Sequence, residues 1–433
     1  MQLLHISDIH FRTPDCRTPD MDPERPYRTL LMRDARDRVR TLGSVDAILV
    51  GGDIAFKGHR EEYEAAYAWL MELAQATGCP PERIFVVPGN HDVDRNVITS
   101  TPAVRNAQKA IYLAQPEKRE RELRTQFTDT QTSSSLLAPL AAYNDFAKLF
   151  NCQVYSPDRL FWKQDMDLNG GVMLRLYGLT STLLSGMDGE NDKCGELYLS
   201  PLQVLHPLDD VVNLVVIHHP PDWLMDEQDV NDMVNNRAVI HLFGHKHLQR
   251  VVTDDGYMRF SAGAVNPDRQ EKGWEPGYNL ISLQVVGSGR ERALEIEAHL
   301  MVLQSTPERF NPRRTRGGEE VFRHRISIPG YVSEIAAATS RPAVAVEVPT
   351  ATASAARDDV EASMSEEHTR NLIFRFWKLT GSQRREIALG LGLIEEKDLA
   401  IPEPERYGRA LLVARERGLL DQVTNEIAKR ETK

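Results

Sequence analysis

Five short apolar runs of the sequence each end in side chains that commonly bind metal ions. The runs are LLHISDIH, AILVGGD, IFVVPGNHD, LVVIHHP and VIHLFGHKH. The side chains that end them are Asp8, His10, Asp53, Asn90, His91, Asp92, His218, His219, His245 and His247. This oxygen and nitrogen donor set suits Mn, Fe, Zn or Co at five or six coordination, and it argues against a thiolate zinc finger.

The spacing within these motifs fits a shared site. Asp8 and His10 are two residues apart, so in an extended segment both side chains face the same way, and His245 and His247 repeat this spacing. Gly51, Gly52, Gly89 and Gly244 stand next to or just before these ligands, where a backbone must turn sharply. Either pair alone is typical of an ordinary core or surface contact. Five runs with the same ending favour one site.

Strands and a helix are predicted to position the first motifs. LLHIS, DAILV and IFVV have the length and composition of buried strands. Residues 60–77 carry apolar side chains at helical spacing and stop at Gly78, which indicates a helix between the second and third strands. Strand, helix, strand predicts a parallel sheet. Ligands bind beyond the carboxyl ends of such strands, so the motifs should converge on one crevice.

The number of candidate ligands predicts two ions. One tetrahedral ion takes four ligands, and even seven of the ten candidate side chains would be too many for it. Asp53 is the natural bridge between two ions. Two divalent ions beside the carboxylates of Asp8 and Asp53 leave about two positive charges unneutralised. Such a site would attract and polarise a phosphate group.

The remainder of the first 332 residues is expected to complete an α/β domain. Residues from about 95 to 165 look helical and are interpreted as an insertion. Strands are predicted again at VMLRLYGL, VVNLVVI and AVIHLF. After residue 250 the pattern is hairpin-like, with a turn at Asp255-Gly256, and it predicts an antiparallel sheet region.

Composition narrows the class of protein. The chain has 433 residues and a formal net charge of −11, a poor overall field for non-specific nucleic-acid binding that still permits a local basic groove. No apolar run approaches the roughly 20 residues that span a membrane, and the start of the sequence lacks a signal-peptide pattern. Four scattered cysteines favour reduced thiols, so we expect a cytoplasmic protein without membrane contact.

The motifs DIH, GGD, GNHD, HHP and GHKH, in this order, resemble the signature blocks of the calcineurin-like metallophosphoesterase superfamily. The resemblance covers roughly residues 1–300. It implies a two-sheet β-sandwich, with two mixed sheets packed together and flanked by helices. It also implies that Asp8, His10, Asp53 and His247 hold one ion, and that the bridging Asp53, Asn90, His218 and His245 hold the second.

The same resemblance assigns roles to the neighbouring residues. His91 matches the catalytic histidine of the family, which is not a ligand and protonates the leaving oxygen. Asp92 would orient or tune His91, and His219 would support the site without binding metal. Phe56 stands where purple acid phosphatases have a metal-binding tyrosine. GNHD together with HHPP is most similar to the branch of cyclic-nucleotide and glycerophosphodiester phosphodiesterases.

These features predict a dinuclear metal-dependent phosphodiesterase that acts on a nucleotide or nucleic-acid phosphodiester, with Mn as the first choice of metal. One alternative is a metal-dependent nuclease of a bacterial defence system. For that reading, the basic residues 309–325 could touch a nucleic-acid backbone, although a solvated connection is the simpler interpretation. The other alternative is a non-catalytic interaction protein on a phosphoesterase fold.

The last 68 residues are predicted to form a separate helical unit. Residues 333–365 are rich in Ala, Ser, Thr, Val and Pro and are interpreted as a linker. Residues 366–433 contain four short amphipathic helical patterns, one of them with Ser382 as a possible N-cap, and suit a small all-α bundle. The pattern weakly resembles death-like, effector-associated adaptor domains, which implies a protein partner or self-association. A helical extension packed on the enzyme is the alternative.

Overall fold

The computed structural model describes residues 1–154, 159–267, 275–328, 370–401 and 403–431. Its centre consists of two mixed β-sheets with helices around them. The first sheet has the order β12-β11-β10-β1-β2-β3, with β13 also paired to β11, and the second has the order β4-β5-β6-β7-β9-β8. The predicted two-sheet α/β fold is therefore confirmed.

The strands of the first sheet are β1 (Gln2–Ile6), β2 (Ala47–Val50), β3 (Ile84–Val86), β10 (Gly277–Val286), β11 (Ala293–Ser305), β12 (Glu308–Pro312) and β13 (Phe322–Ser327). Those of the second sheet are β4 (Phe161–Asp167), β5 (Met173–Leu179), β6 (Val211–Ile217), β7 (Ile240–Phe243), β8 (Arg250–Thr253) and β9 (Met258–Ser261). The central strands are buried on both faces, which explains why their sequences are apolar without alternation.

Strand register brings the motifs to the same edge of each sheet. In the parallel set, Ile6 pairs with Val50 and Val50 pairs with Val86, so β1, β2 and β3 end level. In the second sheet Ile217 pairs with Phe243, so β6 and β7 also end level. The loops that carry the candidate ligands therefore leave neighbouring strands side by side.

Eight described α-helices precede the C-terminal unit. They are α1 (Arg25–Leu42), α2 (Arg60–Thr77), α3 (Arg95–Ser100), α4 (Pro102–Leu113), α5 (Pro116–Thr128), α6 (Thr130–Leu137), α7 (Ala141–Ala147) and α8 (Glu227–Arg237). Helix α2 ends as predicted, because Gly78 is its C-cap in the left-handed conformation with φ 72°. Helices α3 to α7 occupy the expected insertion, which also contains the start of β4.

The antiparallel strands do not form a sheet of their own. Strands β10 to β13 extend the first sheet, whereas the hairpin of β8 and β9 joins the second sheet beside β7. Residues 309–325, interpreted as a basic connection, include most of β12 and the start of β13. Their Arg-rich composition suits strands at the edge of a sheet, where charged side chains oppose edge-to-edge pairing.

The C-terminal helices are α9 (370–378), α10 (Gly381–Gly390), α11 (Glu403–Glu416) and α12 (Leu420–Glu431). They share a buried cluster of their own that includes Leu372, Phe376, Tyr407, Val423 and Ile427. Helix α10 begins two residues earlier than expected, since the Thr380 hydroxyl, and not that of Ser382, accepts from the Gln383 amide. The expected linker at 333–365 lies outside the described residues.

Helix α9 also contacts the first sheet at its free edge. Arg370 Nε donates to the Glu82 carbonyl oxygen at 2.7 Å, and Nη2 donates to that of Ile84 at 3.1 Å. The Arg370 guanidinium lies over the Phe85 ring, 4.0 Å from its centroid. Arg370 thereby binds carbonyl oxygens at the start of the edge strand β3 and in the turn just before it. Among the described helices, none is long and apolar enough to span a bilayer.

Candidate metal centre

Five loops at the ends of β1, β2, β3, β6 and β7 meet between the two sheets and carry all ten predicted site residues. Five of these residues adopt φ values between 51° and 68°, namely Asp8, His10, Asp53, His245 and His247. Asp, Asn and His tolerate this left-handed region better than most residues, but it remains sparsely populated. Backbone strain of this kind is concentrated at functional sites, where the surrounding structure holds it in place.

Two glycines allow these loops to approach one another closely. A Cβ atom on Gly89 would lie 2.1 Å from Asp53 Oδ1, and one on Gly52 would lie 2.6 Å from His218 Nδ1. Neither position has room for a side chain, and Gly52 also has a φ of 97°. The glycines in the GGD and GNHD motifs are therefore required by the packing of the site.

Asp8, His10 and His247 form the first group of donors. Their donor atoms lie within 4.8 Å of one another. Asp8 Oδ1 lies 3.3 Å from His247 Nε2, and the Nε2 atoms of His10 and His247 are 3.4 Å apart. Asp8 is fully buried and also accepts from the backbone amide of His245 at 3.2 Å. These are three of the four residues predicted for the first ion, the fourth being Asp53.

Asn90, His218 and His245 form the second group. Asn90 Oδ1 lies 3.1 Å from His218 Nε2 and 2.9 Å from His245 Nδ1. His219 Nε2 also points at this oxygen, from 3.3 Å. Three imidazole nitrogens thus surround one amide oxygen, which is the arrangement expected of donors that share an ion.

The spacing of the donors tests whether the residues fit metal ions. Ligands at ~2.1 Å from one ion lie about 3.0–3.4 Å apart at octahedral or tetrahedral angles. The distances of 2.9–3.4 Å within the two groups match this range. Burial lowers the pKa of His10 and that of His245 to about 3, so both rings are neutral near pH 7 and present lone pairs. The residues fit a metal centre.

Asp53 lies between the two groups. Its Oδ2 atom is 3.4 Å from His218 Nε2, and its Oδ1 atom accepts from the His91 amide at 2.7 Å. A carboxylate oxygen of Asp53 lies within 4.8 Å of a ring nitrogen of His10, which belongs to the first group. A carboxylate oxygen of Asp53 also lies within 4.8 Å of donor atoms of Asp8 and His218, which belong to the first and second groups. Burial alone would raise the pKa of Asp53, but the His218 and His91 rings hold it well below its usual range. An ionised carboxylate in this position can serve both sites.

His218 is held by a backbone carbonyl. Its Nδ1 atom donates to the Gly51 carbonyl oxygen at 2.8 Å, which leaves Nε2 to face Asp53 and Asn90. Hydrogen bonds of this kind fix the tautomer and orientation of metal-binding histidines. Burial lowers the pKa of His218, but Asp53 and Asp8 outweigh this effect and raise it to about 9.

His91 is oriented by Phe56 and not by Asp92. Nδ1 of His91 lies 2.9 Å from the Phe56 carbonyl oxygen, and the two rings stack with centroids 4.8 Å apart. A ring nitrogen of His91 lies within 4.8 Å of donor atoms of His10 and Asp53. The ring therefore borders the metal centre while its other side is fixed by a backbone acceptor.

Asp92 joins two of the loops. Its carboxylate accepts from the amides of Gly89, Ala55 and Ile54 at 2.8, 2.9 and 3.2 Å, and from the Tyr63 hydroxyl at 2.9 Å. Burial and the charge of Asp53 raise the pKa of Asp92 to about 6. Any influence of Asp92 on His91 therefore acts through the shared loop, since the hydrogen bond of His91 Nδ1 goes to Phe56.

His219 lies behind the second group. The Ser181 hydroxyl oxygen is 2.9 Å from His219 Nδ1 and accepts from the backbone amide of His219 at 3.3 Å. The donor atoms of His219, His218 and His245 also lie within 4.8 Å of one another, so His219 is itself placed where it could hold an ion. The expectation that His219 supports the site without binding metal therefore stays a prediction.

Sequence reasoning missed three side chains at the site. Asp192 Oδ2 is buried without a hydrogen-bond partner and lies 3.9 Å from His219 Nε2. Arg12 covers the face of Phe56 at 3.7 Å from the ring centroid, and Trp223 lies edge-on to His245 with centroids 4.0 Å apart. Arg12 follows His10 by two residues, a signal that could have been noticed, whereas Asp192 and Trp223 lie in loops without a recognisable motif.

The fold has two mixed sheets, and Asp, Asn and His side chains cluster at the ends of their strands. This combination is typical of metal-dependent phosphoester hydrolases. Comparison with known families gives the assignment directly, since the calcineurin-like phosphoesterase family matches residues 1–249. The chain belongs to this family. A second family, the GTPase-associated adaptor domain, matches residues 368–429. The predicted likeness of the C-terminal helices to adaptor domains is thereby confirmed, and the match hints at a protein interaction.

The individual relatives are distant. The uncharacterised metallophosphoesterase-like protein YydB of Bacillus subtilis is 30% identical over 101 residues, which cover 22% of this chain and 18% of that protein. An uncharacterised predicted phosphoesterase from Streptococcus pneumoniae is 12% identical, with a TM-score of 0.28 over 75% of this chain and 97% of its own. Chain coverage and similarity at this level carry no information on substrate.

Two further solved structures are similarly remote. Vps29 from Chaetomium thermophilum is 12% identical, with a TM-score of 0.29 over 76% of this chain and 100% of its own. GAP50 from Plasmodium is 11% identical, with a TM-score of 0.38 over 81% of this chain and 98% of its own. The assignment of the site therefore depends on the family match and on the geometry of the described residues.

Proposed function

We propose that this protein is a dinuclear metal-dependent phosphodiesterase that hydrolyses a nucleotide or nucleic-acid phosphodiester. The observation that carries the proposal is the convergence of seven candidate ligands from five loops, with donor spacings suited to shared ions. In this proposal Asp8, His10, Asp53 and His247 hold one ion, and Asp53, Asn90, His218 and His245 hold the other. When bound, two divalent ions would neutralise phosphoryl oxygens and supply a nucleophile from water near pH 7.

The residues around the ligands would handle the substrate. His91 is fixed by the Phe56 carbonyl with its remaining ring nitrogen available, so it can deliver a proton to the leaving oxygen. Arg12 lies next to Phe56 and could attract the phosphodiester by its charge. Asp92 would act indirectly, because its four hydrogen bonds keep the loops of Asp53 and His91 together.

The composition of the site favours a phosphodiester with an aromatic group. Trp223 is half-buried beside His245, so its ring forms a wall at the second group of ligands. Aromatic rings next to a phosphate site are suited to stacking with nucleobases. Mn is our first choice of metal, because a mixed carboxylate, amide and imidazole set suits it, and Fe, Zn or Co would be accommodated by the same donors.

The C-terminal helices would bring the enzyme to a partner. The match to an adaptor domain and the separate buried cluster of α9 to α12 support recruitment of a protein, or of a second copy, through residues 366–433. The contact of Arg370 with β3 shows that these helices also touch the catalytic unit. Recruitment would therefore place the active site near the substrate of a larger assembly.

A substrate panel tests this proposal. Metal-loaded full-length protein would be given bis(p-nitrophenyl) phosphate, 2′,3′- and 3′,5′-cyclic nucleotides, and single- and double-stranded DNA and RNA, with Mn²⁺ or with a chelator. We expect Mn-dependent hydrolysis of the small diester and of at least one nucleotide substrate. Preferential cleavage within polynucleotides would select the nuclease alternative. Absence of hydrolysis with every substrate, while two ions are bound, would contradict enzymatic function.

A further inference from the structure

A cavity separate from the metal centre lies where the C-terminal helices meet the catalytic unit. It has a volume of about 530 Å³ and is bounded by β4 and residues 151–153 on one side and by α9 and α11 on the other. None of the ten residues of the metal centre lines it. The proposed hydrolysis does not use this cavity, so its composition calls for a separate explanation.

The cavity is cationic in an acidic protein. Arg159, Lys163, Arg370 and Arg415 contribute to its walls, and no aspartate or glutamate lines it among the described residues. The whole chain has 63 acidic and 52 basic residues, so an acid-free wall with four cations runs against the average composition. Clefts lined by one sign of charge concentrate ligands of the opposite sign.

One polar group in this wall is buried without a hydrogen-bond partner among the described residues. Gln153 is 3% exposed, and its Oε1 has no donor there. Arg370 is satisfied more fully, since Nε and Nη2 donate to the carbonyl oxygens of Glu82 and Ile84 and the guanidinium also bonds to the Cys152 side chain. A buried acceptor that lacks a partner is uncommon in folded proteins, and a ligand that donates to it would explain it.

The cavity also has apolar and aromatic residues. Trp377, Ile373 and Leu412 of the C-terminal helices line it, and Leu412 is 47% exposed although it is a large apolar side chain. Phe161 lies on the catalytic side, and the four cations are likewise divided between the two sides. Aromatic, apolar and cationic side chains in one cavity suit a ligand with a flat ring and a phosphate group.

We propose that this cavity binds a nucleotide, with its phosphates near Lys163 and Arg415 and its base against the aromatic and apolar side chains. The volume lies within the range of small-molecule sites and would hold a single nucleotide. Because the ligand would contact both units, its binding would also stabilise their contact. The site would act separately from hydrolysis at the metal centre.

The test is isothermal titration of full-length, metal-free protein in EDTA with each of the four ribonucleoside triphosphates and with inorganic triphosphate. EDTA removes binding through the metal centre. We expect at least one nucleotide to bind, and to bind more tightly than inorganic triphosphate because of its base. The double variant Lys163→Glu and Arg415→Glu should weaken this binding at least tenfold, since it reverses both exposed charges without disturbing the buried Arg370.

Lys118→Glu with Arg121→Glu is the matched control, because it makes the same charge change on the exposed surface of α5. The control should bind as the unaltered protein does, and circular dichroism should show equal folding of all three proteins. Equal weakening in both double variants would show a general charge effect and overturn the proposal. Binding of triphosphate as tight as that of every nucleotide, or no binding at all, would also overturn it.

Discussion

The imidazole ring of His91 is stacked on the phenyl ring of Phe56, and its Nδ1 atom lies 2.9 Å from the Phe56 carbonyl oxygen. A carbonyl oxygen can only accept, so Nδ1 carries the proton of this hydrogen bond. The Arg12 guanidinium lies over the Phe56 ring at 3.7 Å from its centroid. Nδ1 of His91 is thus occupied by the hydrogen bond to Phe56, and Nε2 is the ring nitrogen available for proton transfer.

Replacement of His91 by alanine should separate catalysis from metal binding. If His91 donates a proton and does not bind metal, the rate should fall by about 10²–10⁴, the range for general acid–base groups. Metal content, measured by plasma mass spectrometry, should remain near that of the unaltered protein. The loss should be smaller with p-nitrophenolate, a leaving group that needs no proton. Loss of bound metal in this variant would instead identify His91 as a ligand.

Replacement of Asp92 by asparagine should lower stability as well as activity. Three backbone amides and the Tyr63 hydroxyl would face a side chain with only one acceptor oxygen. Unsatisfied buried donors make a loss of about 2–4 kcal/mol reasonable, measured by urea unfolding of the metal-free protein. Tyr63→Phe is the matched control, since it removes one of these bonds and should cost about 1 kcal/mol. Equal stability of D92N and the unaltered protein would contradict this account.

The main features of the metal centre could be predicted from sequence because each depends on local pattern. Asp8, Asn90 and His245 follow apolar runs, and parallel strands place such endings at one edge of a sheet. Three of the four partners of Asp92 could not be predicted, because Ile54, Ala55 and Tyr63 lie 38, 37 and 29 residues earlier and only the tertiary fold brings them near. Asp192 reaches His219 through a loop without periodicity, so it gave no signal.

Edge strands and helix caps were the weaker part of the sequence-based interpretation. Strand β4 was missed because its sequence, FWKQDMD, alternates charged and apolar residues and lacks the long apolar run used to find the buried strands. Strands β12 and β13 were hidden by arginines, which suit exposed edges. Thr380 and Ser382 are equally good capping residues, and only the position of Gln383 selects the first.

Metal binding should release a proton from His218. Against the effect of burial, Asp53 and Asp8 raise the pKa of His218 to about 9, so the metal-free ring is protonated at pH 7.5. An ion must displace this proton, and the apparent affinity for Mn²⁺ should rise about tenfold per pH unit from pH 6.5 until it levels near pH 9. The stability of the metal-free protein should change in the opposite sense. The ion pairing of protonated His218 with Asp53 and Asp8 stabilises the fold fully below pH 6.5, and this stabilisation is lost as the pH rises towards 9.

Calorimetry in buffers of different ionisation enthalpy measures this proton release. Titration of metal-free protein with Mn²⁺ at pH 7.5 should show about one proton released for the ion at the second group of ligands. Affinity that stays constant between pH 6.5 and 8.5, without proton release, would show that His218 is not a ligand.

Removal of the C-terminal helices tests whether they form an adaptor or a packed extension. A protein ending at residue 355 should be soluble, keep its metals and hydrolyse a small phosphodiester at an unchanged rate. It should melt at a lower temperature, because β3 loses the hydrogen bonds of Arg370 and Phe85 loses its cation. Full-length Arg370→Ala should share part of this decrease. Aggregation of the shortened protein, or loss of its metals, would favour a packed extension.

Metal content and activity of Asp53→Ala test the central claim most directly. Asp53 lies between the two groups of donors, so no other single residue is expected to affect both ions. Full-length protein loaded with Mn²⁺ should contain two ions per chain, measured by plasma mass spectrometry after removal of free metal. Asp53→Ala should lose at least one ion and most of the hydrolysis of bis(p-nitrophenyl) phosphate. A variant that keeps two ions and the unaltered rate would contradict the assignment of the site.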